Sequence, residues 1–180
     1  MRYYIHGYLS DPNSTKATLL KEKLNVKPIT YRTCPPEKLI VSECLKKINK
    51  EIKDDEEITL IGSSLGGFLA AKTATMNNNI ENLILLNPAI IPMNFDITKI
   101  KDMPQSILEE MQDRVLFTKK NNAEVLIIIG TKDQIVPNSW PIQYAKNQNA
   151  TIKFLDDDHR FSEKIDQVIS IIKGFLIKKD

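Results

Sequence analysis

The sequence predicts an α/β protein: a three-layer α/β/α sandwich with a mostly parallel sheet of about six strands. Three observations predict it. Short apolar runs recur along the chain, helix-spaced apolar patterns fall between them, and polar or glycine-containing clusters follow the runs. The runs are nearly continuous rather than alternating, which suits strands buried on both faces, as parallel strands are.

The elements follow in order. RYYIH (2–6) is the first strand-like run. SDPNSTK then supplies capping residues, after which Leu19, Leu20 and Leu24 share one helix face. PITY (28–31) is the second run. Beyond Pro35 and Pro36, the residues Leu39, Ile40, Cys44, Leu45, Ile48 and Ile52 recur near the helical period. EITLIG (57–62) is the third run, followed by GSSLGG and the apolar helix text FLAA. NLILLN (82–87) and EVLIIIG (124–130) are the fourth and fifth, joined by a connection of about 36 residues, Pro88 to Ala123, long for a compact domain. TIKFLD (151–156) is the sixth. Ile165, Val168, Ile169, Ile172 and Leu176 form a last helical face.

A chain of 180 residues forms one domain, 1–180, with enough length for a sizeable core. The stretch 88–123 is where a small cap or lid would be inserted. Its IIPMNF segment reads as an exposed apolar loop, and Ile100, Ile107, Leu108, Met111 and Val115 make an apolar face at helical spacing. That face serves either as the roof of an acyl pocket or as a crossover helix on the sheet. Trp140 and Tyr144 read as core. The 25 basic and 23 acidic residues nearly cancel and are interspersed, which excludes a nucleic-acid footprint. No apolar run approaches the ~18 residues of a membrane span. MRYYIHGY lacks the charged region, long apolar region and cleavage site of a signal peptide. Cys34 and Cys44 lack metal-like spacing and read as free thiols. The expectation is a cytoplasmic protein acting on a small molecule, with neither nucleic acid nor membrane as partner.

Ligands of open α/β sheets bind outside the carboxyl ends of the strands. The residues there are HGY, GSSLGG, NPA, GTKDQIVP and DDDHRF. Gly62, Ser64 and Gly66 spell G-x-S-x-G, the pattern of a nucleophile elbow. A sharp strand-to-helix turn lifts the serine hydroxyl clear of the sheet and squeezes the ±2 positions together, so glycine fits there. Gly67 lets the following helix lie close to the strands. Counting selects Ser64 and leaves Ser63 as a spacer. A dinucleotide fingerprint fails because Ser64 takes the second glycine's place. A Walker loop fails because Ala71 precedes Lys72 and Thr73 where glycine is needed.

The hydrolase chain order is serine, acid, histidine. Of the two histidines, only His159 follows Ser64. Asp133 follows the fifth run. Asp156, Asp157 and Asp158 are rival acids, but they lie too close in sequence to His159 to reach its far ring nitrogen well. His6 and Gly7 close the first run, where a turn aims the Tyr8 N–H into the site; His6 is expected to support that turn. The Leu65 N–H is the second donor of an oxyanion hole.

Taken together, YIHGYLSDPNSTKATLL, IGSSLGGFLAAK, LLNPAI, GTKDQIVP and DDDHRFS resemble the small bacterial esterases of the YqiA/YcfP type, in the α/β-hydrolase superfamily, over Tyr4 to about Phe175. The resemblance implies a minimal hydrolase fold that begins at what is usually the third strand. It also implies carboxylesterase activity on short acyl chains, with thioesterase activity alongside. Its triad falls on Ser64, Asp133 and His159, and no metal or organic cofactor is called for. Two other classes share these residues: acyl transfer or C–C bond hydrolysis on the same triad, and a non-catalytic hydrolase-like binding protein.

Overall fold

The computed structural model describes residues 1–177. Among these residues six strands and seven α-helices follow in the order β1 Arg2–Ile5, α1 Thr15–Leu24, β2 Lys27–Pro28, α2 Val41–Ile52, β3 Ile58–Ser63, α3 Leu65–Ala74, β4 Ile80–Leu86, α4 Gln105–Met111, α5 Val115–Thr118, β5 Glu124–Gly130, α6 Ser139–Gln148, β6 Thr151–Leu155 and α7 Ile165–Ile177. The sheet order is β2-β1-β3-β4-β5-β6, and every pairing is parallel. The order reverses between β1 and β3, so the switch point of the sheet opens there. The register aligns Ile5 with Gly62, Gly62 with Leu85, and Leu86 with Ile128. The loops that follow β1, β3, β4 and β5 therefore leave along one edge.

Period-two alternation divides the core into two layers. Tyr3, Ile5, Leu60, Leu83, Leu85, Ile127 and Ile129 pack with the α2 and α3 side chains. Tyr4, Ile61, Ile84, Leu86, Leu126 and Ile128 pack with α1 and α7. Local chemistry sets the boundaries. The Ser14 side chain caps α1 by accepting the Ala17 N–H, and Asn25 ends the helix in the left-handed region at φ 52°. Helix α2 buries Val41, Cys44, Ile48 and Ile52; of the expected stripe, Ile40 is instead exposed ahead of the helix, Leu45 is half-buried, and Val41 takes the inward place. No helix among the described residues is long and apolar enough to cross a membrane.

Three local expectations need correction. The second run yields only Lys27–Pro28 as a strand, rather than 28–31. Pro28 has no N–H to donate, and the Ile29 N–H to Tyr4 carbonyl bond is the last rung of that edge. Second, the apolar start of IIPMNF is not exposed: Ile90 is 0 % and Ile91 1 % exposed, and only Met93, at 48 %, and Asn94 are open to solvent. Third, the face from Ile100 to Val115 is not one helix. It breaks after α4, and α5 is a separate single turn. Ile107, Leu108, Met111 and Leu116 join the larger core layer, whereas Val115 is exposed. Glu110 of α4 accepts the Val41 and Ser42 N–H groups at the start of α2. Trp140 and Tyr144 are core residues on α6, a helix the sequence reading did not mark.

Candidate active site

Between Ile58 and Ala71, Ser64 is the single residue that is not buried. It stands at the β3–α3 junction with φ 55° and ψ −122°, a backbone that side-chain-bearing residues rarely adopt. Main-chain bonds hold it there. The Ser64 N–H donates to the Leu86 carbonyl at 3.0 Å, and its own carbonyl accepts from Gly67 at 2.9 Å and from Ala89 at 3.0 Å. The turn tolerates no side chain at its flanks. A Cβ on Gly62 would lie 2.3 Å from the Gly66 carbonyl oxygen, and one on Gly66 would lie 2.1 Å from the Ile5 oxygen. Gly67 packs on Pro88 in the same way.

Ser63 faces the other way. It shares its sheet face with Ile61, toward α1, where Lys16 Nζ donates to its hydroxyl at 3.2 Å. It is 6 % exposed. Burial pulls the Lys16 ammonium down to about 8, against the opposing pull of Asp158 and other nearby carboxylates. The same ammonium lies over the Phe161 ring, just beyond His159.

The β1 loop lies against the serine: a Cβ on Gly7 would sit 3.2 Å from Ser64 Cβ. Among the described residues, no protein group accepts from the N–H of Tyr8 or of Leu65. The Leu65 amide follows Ser64 in the chain, and the Tyr8 amide follows Gly7, the residue that lies against the serine. The loop is braced from below. Tyr31 donates its hydroxyl to the His6 carbonyl at 3.1 Å, and Arg32 Nη2 donates to the Tyr8 carbonyl at 2.7 Å and the Ser10 carbonyl at 2.8 Å. His6 is 1 % exposed and stacks on Tyr31. Its Nδ1 donates to the Gly7 carbonyl at 2.9 Å, since a carbonyl can only accept. Burial lowers its pKa, so the ring is neutral at pH 7.

Asp133 and His159 come together from the β5 and β6 loops. His159 Nδ1 donates to Asp133 Oδ2 at 2.6 Å, and the Asp133 side chain is 1 % exposed. The other carboxylate oxygen accepts the Ile135 and Val136 N–H groups at 2.8 and 2.9 Å. With Nδ1 as donor, Nε2 is the lone-pair nitrogen. The rival aspartates are engaged elsewhere. Asp156 pairs with Lys132 at 2.9 Å. Asp157 accepts the Asp158, Glu163 and Lys164 N–H groups ahead of α7. Asp158 accepts from Arg160 and from the amide and hydroxyl of Ser162. Among the described residues no hydrogen bond joins Ser64 Oγ to His159; such contacts tighten when substrate binds.

Sequence reading gave no role to Asn87, Lys16, Tyr31, Arg32 or the Asp157 cap. Of these, only Asn87 carried a signal, as the first residue of NPA at a strand's carboxyl end. Among the described residues no group of three or more His, Cys, Asp or Glu could hold a metal ion. Two hollows, of about 500 and 450 Å³, open near the amino ends of the strands, at the edge opposite Ser64, Asp133 and His159.

A parallel sheet wrapped by helices on both faces, with an elbow serine at its switch point, defines the α/β-hydrolase fold. Solved structures agree. The chain superposes on Est1E from Butyrivibrio proteoclasticus, determined with ferulic acid bound, at a TM-score of 0.79 and 22 % identity, covering 98 % of this chain and 88 % of that one. For mouse alpha/beta hydrolase domain-containing protein 10 the values are 0.80 and 21 %, covering 99 % and 90 %. For a monoacylglycerol lipase of Paleococcus ferrophilus they are 0.77 and 17 %, covering 99 % and 94 %. The chain belongs to the uncharacterised protein family UPF0227, whose model matches residues 1–177. A UPF0227 protein of Shewanella woodyi is 30 % identical over 145 residues, spanning 77 % of this chain and 78 % of its own length.

Proposed function

We propose that the protein is a carboxylesterase-type serine hydrolase that cleaves short-chain carboxylic esters through an acyl-enzyme on Ser64. One observation carries this reading. Ser64, the lone accessible residue of a buried stretch, is held in a strained backbone on the same sheet edge as a hydrogen-bonded Asp133–His159 pair.

The chemistry follows from these positions. His159 Nε2 takes the Ser64 proton as Oγ attacks the ester carbonyl. Asp133 keeps Nδ1 protonated and stabilises the imidazolium. The oxyanion of the tetrahedral intermediate is met by the N–H groups of Tyr8 and Leu65, which have no protein acceptor to give up. Collapse returns the proton from Nε2 to the leaving alcohol and leaves an acyl-Ser64 ester. Water, deprotonated by His159, attacks that ester, releases the carboxylic acid and restores Ser64. His6 takes no part in proton transfer; it supports the turn that carries Gly7 and Tyr8. Leu9, Met93 and Ile135 are exposed apolar side chains on the segments that follow β1, β4 and β5, which supports a small acyl group as the ligand of this edge.

Fluorophosphonate labelling followed by peptide mapping tests the assignment. The adduct is expected on Ser64, Ser64→Ala is expected to lose ester turnover by at least about 10³-fold, and Ser63→Ala is expected to label normally. An adduct on Ser63 rejects the proposal.

A further inference from the structure

Asn87 follows β4 and is 1 % exposed. Its backbone is left-handed at φ 43°, a conformation that asparagine tolerates better than most residues. That turn sends its carboxamide across the carboxyl edge of the sheet. Oδ1 accepts the Gly130 N–H at 2.7 Å, where β5 ends. Nδ2 donates to the main-chain carbonyls of Asp158 at 3.3 Å and His159 at 3.1 Å. Both donors and the acceptor of the carboxamide are thus used. One side chain ties the strand end that leads to Asp133 to the loop that carries His159.

The backbones meet closely at this point. A Cβ on Gly130 would lie 2.6 Å from the Asp158 carbonyl oxygen and 2.7 Å from that of Asp157. The neighbouring contacts hold other residues: Thr131 N–H donates to Leu155 and Lys132 N–H to Asp157. Among the described residues Asn87 is the one side chain that grips the main chain of His159 itself. We propose that Asn87 is a positioning residue, which sets the His159 imidazole against Asp133 and Ser64. This inference rests on the triad reading above. Asn87 touches no reacting atom; it acts through the histidine. A displacement near 1 Å in such a constellation costs about 10²-fold in rate.

Two variants separate this role from simple stability. Asn87→Gly keeps the left-handed backbone, which glycine adopts freely, and removes only the carboxamide. Asn87→Asp keeps the size and the acceptor for Gly130 but offers no donor to the two carbonyls. Each is expected to lose about 10²-fold in kcat toward p-nitrophenyl acetate, with KM within about twofold of wild type. Nitrogen-15 histidine NMR supplies a readout independent of turnover, because the chain has only two histidines. The His159 Nδ1 proton, held by Asp133, is expected to broaden or vanish in both variants, while that of His6, held by Gly7, stays unchanged. Retained kcat per folded molecule in Asn87→Gly, or an unaltered His159 proton signal, overturns the proposal, even if the melting temperature falls. If the wild type neither turns over esters nor takes a fluorophosphonate, the hydrolase reading fails, and the NMR comparison still decides whether Asn87 positions His159.

Discussion

Replacing Asp133 by asparagine changes one atom, and the surrounding amides dictate the consequence. In the native chain, Oδ1 accepts two N–H groups, from Ile135 and Val136, while Oδ2 accepts from His159 Nδ1. An asparagine must keep its oxygen toward the two amides, because an NH₂ group there would face two donors. Its NH₂ then points at Nδ1 and donates to it. The imidazole is forced to carry its proton on Nε2, the nitrogen that has to receive the serine proton. The equivalent tautomer error in a well-studied serine protease costs about 10⁴-fold, or about 5 kcal/mol of transition-state stabilisation. Asp133→Asn should therefore lose about that factor in kcat toward p-nitrophenyl acetate while melting close to wild type. The single variants Asp156→Asn and Asp158→Asn should stay within about tenfold of wild type, because neither carboxylate touches the ring. Asp157→Ala should lose about 1–2 kcal/mol of stability through the lost cap, with turnover per folded molecule largely kept. Near-normal turnover in Asp133→Asn, or its loss on replacing Asp156 or Asp158, would refute the tautomer argument.

Gly66→Ala should destabilise by about 3 kcal/mol or more in urea denaturation, because its Cβ meets the Ile5 and His6 carbonyls and neither backbone can yield; a variant of wild-type stability would contradict the close approach. Lys16 gives a pH signature: its folded pKa of about 8 lies below the ordinary 10.5, so from about pH 8 upward the unfolded chain binds more protons and stability rises with pH. Lys16→Met should flatten that rise when denaturation is followed from pH 7.5 to 9.5, below the ~10 at which exposed tyrosines ionise. His6 has the same sign at lower pH: its contribution is full above ~6.5 and is lost as pH falls toward the lower folded value, so His6→Asn should reduce the loss of stability between pH 6.5 and 5.5.

What was legible in the sequence was local or forced by scarcity. The elbow is a constraint between residues two apart, so Gly62, Ser64 and Gly66 announce it in the text. His159 could be chosen because the only other histidine precedes Ser64. Asp133 could be chosen because it leaves a buried strand at the edge where the serine stands. The inner strands β1, β3, β4 and β5 were legible because they are apolar nearly throughout, whereas edge strand β2 is only Lys27–Pro28 and edge strand β6 leaves Lys153 and Phe154 exposed. Helix α6 was not legible. Its buried residues Trp140, Pro141, Tyr144, Ala145 and Gln148 mix proline and glutamine into the apolar pattern, and Pro141 reads as a break although it falls in the first turn, where proline is tolerated. The turn at Ile90 and Ile91 read as exposed because nothing local shows that it returns into the core.

The unread part of the candidate site has one physical character. Asn87, Asp157, Lys16, Tyr31 and Arg32 act through hydrogen bonds to main-chain groups or to residues distant in sequence. Asn87 reaches 43 residues to Gly130 and 72 to His159. Its partners are backbone atoms, which every residue possesses, so no residue type at the far end marks the contact. The triad pair is different, because an imidazole and a carboxylate are both rare enough to be matched by type. A parallel sheet converts chain order into spatial order along its carboxyl edge, and this places serine, acid and histidine on the loops after β3, β5 and β6 of one edge. It does not fix where the imidazole stands once its loop has left β6. That last step falls to contacts such as the Asn87 carboxamide, which hold one loop to the end of the neighbouring strand. The sheet sets the triad's order, and the interloop hydrogen bonds set its geometry.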